Sequence, residues 1–402
     1  MKVKRFPQDF QVEELTNVVP AKGPFALYRL TKTSIGTMEA IDLIARRWQI
    51  HRRRISYGGL KDKHAVTRQF ITVQQGPHRD FEHANVALAY LGQTSRPFTA
   101  GEISGNRFEI VIRDLTAETA ATAQRHLQDV AAFGVPNYFD DQRFGSVGYS
   151  GEFVGQAWCK GDYERALWLA LADPHPFDRS QEKSAKQFLR DHWGDWVLCK
   201  QELPRSHRRS IVTYLCDHPA NFRGAFARIR VDLRGMYLSA FQSYLWNVLL
   251  ASWLTENCPA DDLFPVKMNL GTVPYFSRLS PDVMTKLGEL TIAIPSARQH
   301  LPEGPEADFI ERILSQMGLS LREIRVKYPR DSFFSKGRRA ALSRPGEATS
   351  AIEPDEEAKG KQKLKLGFTL TKGSYATVVI KRITGDVEIP FDEPEDEGEA
   401  EM

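Results

Sequence analysis

The chain has 402 residues, 42% of them hydrophobic and 26% charged, with a formal net charge of +3. That length suits two domains. No window approaches the roughly 18 uninterrupted apolar residues of a membrane helix, and the N-terminus lacks the basic, apolar and cleavage regions of a signal peptide, so a cytoplasmic protein with no membrane partner is expected. Cys159, Cys199, Cys216 and Cys258 are far apart and form neither a C-x-x-C nor a His-flanked pair; reduced packing cysteines, with no metal site, are expected.

The charge is unevenly spread. Asp386 to Met402 holds nine acidic residues and no Lys or Arg, which leaves 54 basic against 42 acidic residues, +12, on the rest. The tail, drawn at 393–402, is expected to be disordered. A basic body implies an anionic partner, nucleic acid before membrane, because no amphipathic basic helix occurs; charge alone also allows a basic protein with no such partner.

In chain order, Thr37 is expected to cap a helix in which Met38, Ile41, Ala45 and Trp48 recur at helical spacing. "RFEIVIRDL" (Arg107–Leu115) alternates as a half-buried strand does, and "LTAETAATAQRHLQDVAAFG" reads as a helix stopped by Gly134. From about Gly155 the sequence turns aromatic and helix-rich, in "YERALWLALA", "SAKQFLRDHW" and "MYLSAFQSYLWNVLLASWL". The polar stretch Ser335–Lys363 is expected to be partly a long loop. A strand signal returns in "LKLGFTLTKGSYATVVIKRI". An isolated two-stranded hairpin is marginal in water, so these strands are expected to join the N-terminal sheet. The second domain is then an insertion, with boundaries at 1–152 plus 337–392 for the first domain and 153–336 for the second.

The densest charge bias lies around "SYGGLKDKHAVTRQF" (Ser56–Phe70). Between Arg46 and Arg68 there are eight Lys or Arg residues, Arg46, Arg47, Arg52, Arg53, Arg54, Lys61, Lys63 and Arg68, against one acid, Asp62. Such a strip suits phosphates, which position a polynucleotide without reading its sequence; it also suits a solvated helix end and loop. A carboxylate opposes phosphate binding, so Asp62 either pairs with Lys61 or Lys63 or meets something other than phosphate. Flanking cations favour the ionised carboxylate that a nucleophile or base requires, and Thr67 and Gln69 can supply hydrogen bonds. Taken alone, an Asp in a glycine-containing turn is a turn residue. Further along, "VPNYFDDQRFG" (Val135–Gly145) sets Asn137, Tyr138, Phe139, Gln142, Arg143 and Phe144 together, stacking faces beside groups that can bond a base edge; a surface turn with two core aromatics has the same composition.

These stretches together resemble the TruD family of pseudouridine synthases. "GLKDKHAVTRQ" looks like the signature around the family's catalytic aspartate, and "VPNYFDDQRFG" is similar to its Asn-Tyr-Phe and Gln-Arg-Phe-Gly block. "KRFPQDFQVEE" resembles its opening motif, "SAFQSYLWN" a helix of its inserted domain, and "TLTKGSYATVVIKRI" its closing strand. The resemblance implies an α+β fold, a pseudouridine synthase catalytic core with a mixed, mainly antiparallel sheet and flanking helices, interrupted by a family-specific α+β insertion domain. It implies isomerisation of uridine to pseudouridine in tRNA, at position 13, or in another RNA, by a monomer with no cofactor or metal. Carried over by position, Asp62 is the catalytic nucleophile; Phe10, Asn137 and Tyr375 contact the uridine; Phe139 takes the place of a stacking tyrosine of other synthases, and Lys4 that of their basic partner for the aspartate. Glu14, Lys61, Gln142 and Arg143 are supporting residues, and Arg46, Arg47, Arg52, Arg53, Arg54, Lys63 and Arg68 face the RNA backbone.

The chain departs from the family pattern at Asp140, where glycine is usual and a charge is added near a site meant for RNA, and at Tyr375, where phenylalanine is also common. The loop before Lys363 has no counterpart. A non-catalytic RNA-binding or RNA-folding protein on the same scaffold is the alternative. A methyltransferase would need a glycine-rich cofactor loop after a strand, which "SYGGL" is too short to form.

Overall fold

The computed structural model describes residues 1–385; the acidic tail at 393–402, and the stretch 386–392 assigned to the first domain, lie outside the described residues. The chain divides into two compact units. The first comprises Met1–Asn137, Tyr275–Leu279 and the chain from Leu342 onward; the second comprises Tyr138–Pro274 and Ser280–Ala341.

The first unit is built on one ten-stranded sheet. Its strands are β1 (Lys2–Val3), β2 (Phe10–Thr16), β3 (Phe25–Thr33), β4 (Ile55–Tyr57), β5 (Val66–Gln74), β6 (Phe81–His83), β7 (Val86–Thr94), β8 (Ile103–Leu115), β9 (Gly346–Pro354) and β10 (Gln362–Thr371). The order is β9-β10-β8-β2-β5-β3-β7-β6, with β1 also on β8 and β4 also on β5. Every pairing is antiparallel except β2–β5, so the sheet is mixed and mainly antiparallel, as expected.

Among the described residues, three α-helices belong to this unit: α1 (Thr37–Trp48), α2 (Ala117–Phe133) and α3 (Ala376–Thr384). Ala40, Ile41, Ile44 and Ala45 of α1 pack on Tyr28, Leu30, Ile71, Val73 and Leu88 of β3, β5 and β7, the apolar stripe that the spacing predicts. Thr37 does not cap α1. Gly36 holds that position, and Thr37 lies inside the first turn, buried. The helix α2 ends at Gly134, with φ of +80°; a Cβ there would come within 2.8 Å of the Ser343 carbonyl oxygen, so the stop needs glycine twice over.

Two C-terminal expectations are corrected. Gly346–Pro354, inside the expected loop, is the edge strand β9, in register with β10 from Thr349↔Gly367 to Pro354↔Gln362. None of its residues is buried, and its polar side chains are mixed with Gly, Ala and Pro, so no apolar alternation announced it; the ladder to β10 makes it a strand. Conversely, "YATVVIKRI" is not a strand. Ala376–Thr384 is helical, and Ala376, Val378, Val379, Ile380 and Ile383 are buried. Its β-branched residues favour strands locally, but α3 packs against α2, and that burial overrides propensity. The remaining C-terminal segment, β10, does join the N-terminal sheet, on β8.

The second unit is mainly helical. Its centre is the 27-residue helix Val231–Asn257, roughly 40 Å long, with Leu238, Phe241, Leu245, Trp246, Leu249, Leu250 and Leu254 buried. Helices Val154–Lys160, Tyr163–Leu171, Ser180–Asp191, Trp196–Glu202, His207–Asp217, Pro281–Glu289 and Pro305–Gln316 accompany it. A short antiparallel ladder pairs Thr291–Ala293 with Arg338–Ala340. Among the described residues, no helix is long and apolar enough to cross a membrane.

Candidate active site

One edge of β5 is shared by two strands. β2 pairs with it from Gln11↔Val66 to Glu13↔Arg68, then β4 takes over from Tyr57↔Ile71 to Ile55↔Val73. The handover leaves the Phe70 N–H without a strand partner, and the Glu14 carboxylate fills the gap, accepting from it at 2.9 Å. The connection from β4 back to β5, Gly58–Ala65, carries Asp62 across this break in the sheet.

That connection is tied down along its backbone. Gln69 donates from Nε2 to the Gly59 carbonyl at 3.1 Å. The Thr37 hydroxyl accepts from the Lys61 N–H at 3.0 Å and donates to Gln69 Oε1 at 3.1 Å. Lys32, on β3, is fully buried and donates from Nζ to the carbonyls of Ile35, Lys61 and Asp62 at 2.7, 3.1 and 2.7 Å. The Lys61 ammonium turns inward, ion-paired with Glu14 Oε1 at 2.8 Å and donating to Asn106 Oδ1 at 3.0 Å. Burying this pair is offset by its close charge contact and by the outer hydrogen bonds to Phe70 and Asn106, so Glu14 and Lys61 act as an internal strut beneath the loop.

The Asp62 side chain stays 22% exposed and meets Lys4 instead of its neighbours, with Lys4 Nζ 2.6 Å from Oδ2. Asp62 Oδ1 has no hydrogen-bond partner among the described residues. Lys4 lies between β1 and β2, two strands that share the β8 edge, at Val3↔Ile112 and Phe10↔Ile110. Its φ is +55°, a left-handed conformation that costs a non-glycine residue about 1–2 kcal/mol. The turn that follows is anchored by Asp9, whose carboxylate accepts from Arg113 Nε at 2.9 and 3.0 Å. Phe10 opens β2 with its ring 4.2 Å below the Lys4 ammonium and in edge contact with Phe108, itself against Phe368. Lys4, Phe10, Glu14, Lys61 and Asp62 are thus one assembly.

The profile of the family described as tRNA pseudouridine synthase D (TruD) matches residues 1–383. The chain belongs to the TruD family. Its relatives include the tRNA pseudouridine synthase D of Aquifex aeolicus, 28% identical over 95% of this chain and 98% of the relative. The Methanocaldococcus jannaschii protein named probable tRNA pseudouridine synthase D 2 is 31% identical over 95% and 91%. The crystal structure of the Methanosarcina mazei protein assigned to tRNA pseudouridine synthase D superposes with a TM-score of 0.72, at 27% identity, over 95% of this chain and 93% of that one. TruD proteins are isomerases that act on tRNA.

The other residues that the TruD motifs single out fall as follows. Asn137, in the first unit, is buried after the short strand Val135–Pro136, which pairs with Leu342–Ser343. Tyr375 is the half-buried residue that precedes α3, and α3 packs against that same short strand. Phe139 belongs to the second unit. Asn247 brackets it, accepting from its N–H and donating to its carbonyl, both at 2.8 Å, while the Arg339 guanidinium covers the ring at 4.1 Å and Trp246 meets it edge-on. Arg143 Nε donates to Ser243 at 3.1 Å, and Gln142 is exposed. The "SAFQSYLWN" motif therefore works through Ser243 and Asn247 as the clamp for the Asn-Tyr-Phe and Gln-Arg-Phe block. Asp140 is 2% exposed, so the departure from glycine adds no charge to the surface.

The basic strip is split. Lys63 pairs with Glu39 at 2.8 Å near the start of α1, and this hydrogen bond is the main cause that holds the Glu39 carboxyl below its usual range. Arg46 and Arg47 lie in the last turn of α1 and Arg52–Arg54 in the turn beyond it, roughly 15 Å away along the helix. Arg54 is spent internally, on the carbonyls of Gln74 and Gln75 at 2.9 and 2.8 Å. Arg52 reaches Asp42 at 3.5 Å, Arg47 bonds His83, Arg46 and Arg53 are exposed, and Arg68 lies on β5.

Sequence reading overlooked Lys32, Asn106 and Asn247. For Lys32 a signal existed: on β3 it follows Ala26, Tyr28 and Leu30 in strict alternation, placing a lysine on the face that faces the core. Thr67, read as a hydrogen-bonding residue, is buried with no partner for its hydroxyl among the described residues. Among the described residues, no group of three or more His, Cys, Asp or Glu could hold a metal ion.

Proposed function

We propose that Asp62 is the reacting carboxylate with which the chain converts uridine to pseudouridine in tRNA, at position 13. The first unit is the catalytic domain and the second the family's insertion domain, and the enzyme works as a cytoplasmic monomer without a cofactor. The observation that carries this reading is the asymmetry of the Asp62 carboxylate: Lys4 holds Oδ2 at 2.6 Å while Oδ1 has no hydrogen-bond partner among the described residues, on a loop whose backbone is fixed at Gly59, Lys61 and Asp62.

The reaction breaks the bond from N1 of uracil to the ribose, turns the base and joins C5 to the same ribose carbon, with loss of the C5 proton and gain of a proton at N1. An open carboxylate oxygen can attack the sugar, add to the base or take a ribose proton, and Asp62 suits all three. The uridine must first leave its stack, at a cost of a few kcal/mol. Aromatic faces return roughly 1–3 kcal/mol per base, which is the part assigned to Phe139 and Tyr375, with Asn137 at the uracil edge. Exposed arginines at the end of α1 take the flanking phosphates.

The test is Asp62→Ala and Asp62→Asn, assayed for pseudouridine in tRNA and for tRNA affinity. Both variants are expected to form none while binding within a few fold of the parent; turnover by Asp62→Ala would sink the proposal. Mapping pseudouridines in total RNA with and without the gene checks the substrate, and loss at sites other than tRNA position 13 would overturn that part alone.

A further inference from the structure

We propose that Lys32 is a positioning residue for the Asp62 carboxylate, acting through the peptide groups on either side of the Asp62 α-carbon. The proposal rests on the reading that Asp62 reacts.

Lys32 is an expensive residue where it stands. It is 0% exposed, and taking an ammonium out of water is costly even after relaxation. A strand position that continues Ala26, Tyr28 and Leu30 on the core face would be served for stability by an apolar side chain. What the lysine gains is directional. Two of its three carbonyl acceptors belong to Lys61 and Asp62, and the third, Ile35, leads into α1. The two loop carbonyls flank the Asp62 α-carbon, so one ammonium fixes both adjoining peptide planes and with them the direction of the Asp62 side chain. Thr37 fixes the next peptide back by accepting from the Lys61 N–H, and Lys4 then receives Oδ2 at 2.6 Å. Without Lys32, the Asp62 carbonyl loses its partner and the carboxylate is free to swing by the ångström or so that typically costs about 100-fold in rate.

The test uses full-length Lys32→Met and Lys32→Arg, with Ile44→Ala as a control that empties a buried site on α1 without touching the loop. Single-turnover rate, tRNA affinity and folding are measured on each. Lys32→Met is expected to fold, to bind tRNA within threefold of the parent and to react about 100-fold more slowly. Lys32→Arg keeps the charge but displaces its donors, and should be slowed at least tenfold. Ile44→Ala should lose stability yet keep its rate per folded molecule. A folded Lys32→Met at the parental rate overturns the proposal. So does a rate loss in Lys32→Met that only tracks its unfolded fraction, or failure of both Lys32 variants to fold, which would make Lys32 structural. Should Asp62→Ala remain active, the reading of Asp62 fails; should it be inactive while Lys32→Met is fully active, the Lys32 proposal alone fails.

Discussion

Glu14→Gln tests whether the break in the sheet is braced as the geometry requires. Glu14 is 1% exposed and carries two loads, the Phe70 N–H at 2.9 Å and the Lys61 ammonium at 2.8 Å. Glutamine preserves the shape but offers one acceptor oxygen and one NH2, so either the N–H or the ammonium faces a donor. If the oxygen keeps Phe70, the Lys61 side chain, 12% exposed, is left with Asn106 alone. Removing one member of a buried pair costs about 3–5 kcal/mol, and the surviving Asn106 bond favours the lower end, about 3 kcal/mol. The second unit would blur a global unfolding curve, so the measurement is hydrogen exchange of the β5 amides, which reports opening of the first unit itself. A loss of about 3 kcal/mol speeds that exchange by about two powers of ten. In Glu14→Gln combined with Lys61→Met the stranded charge is gone, and at least about 2 kcal/mol should return as coupling. A single variant within about 1 kcal/mol of the parent, or a double variant with no recovery, refutes the strut.

Other expectations can be checked on the same protein. Thr37→Val strips the Lys61 N–H of its acceptor and should cost about 1–3 kcal/mol, whereas Thr67→Val removes a buried hydroxyl with no partner among the described residues and should be neutral or stabilising; hydrogen exchange of the β5 amides separates the two. Asn247→Leu orphans the N–H and carbonyl of Phe139 and should destabilise the second unit by about 2–5 kcal/mol, read from its tryptophan fluorescence. Arg53→Gln should reduce the salt dependence of tRNA binding by about one unit of slope, while Arg54→Gln should leave the slope and lower stability, because its guanidinium holds the Gln74 and Gln75 carbonyls. Lys363 first, then the Glu356 backbone N–H and Arg113, hold Glu356 down to about 2. For Asp355, burial pushes upward but is outweighed by the N–H groups of Asp114 and Glu357 and by Arg113. Lowered folded values mean a stabilisation present above the unfolded range near 4 and lost as pH falls through the folded values, so stability should decline between about pH 4 and pH 2, and Arg113→Met should flatten that decline.

The amino-acid sequence determined the local and the ordered. Periodicity marked α1, α2 and β8, because a one-sided burial leaves its period in the chain. The order of the motifs marked the family and, through it, Asp62. It could not place Thr37 as the acceptor for Lys61, since a threonine ahead of an apolar helix reads as a cap wherever its hydroxyl ends up. Nor did it turn Lys61 inward: a lysine beside an aspartate looks solvated until Glu14, 47 positions away, is known to be its partner. Strand β9 and helix α3 were misread for a shared reason, that their state depends on pairing and packing partners distant in sequence, β10 for one and α2 for the other, against which local propensity is a weak term. Tertiary structure alone set the break on β5, the strut of Glu14 and Lys61 and the loop carbonyls that receive the Lys32 ammonium, because each is a contact between segments that share no local pattern and meet only when the sheet closes.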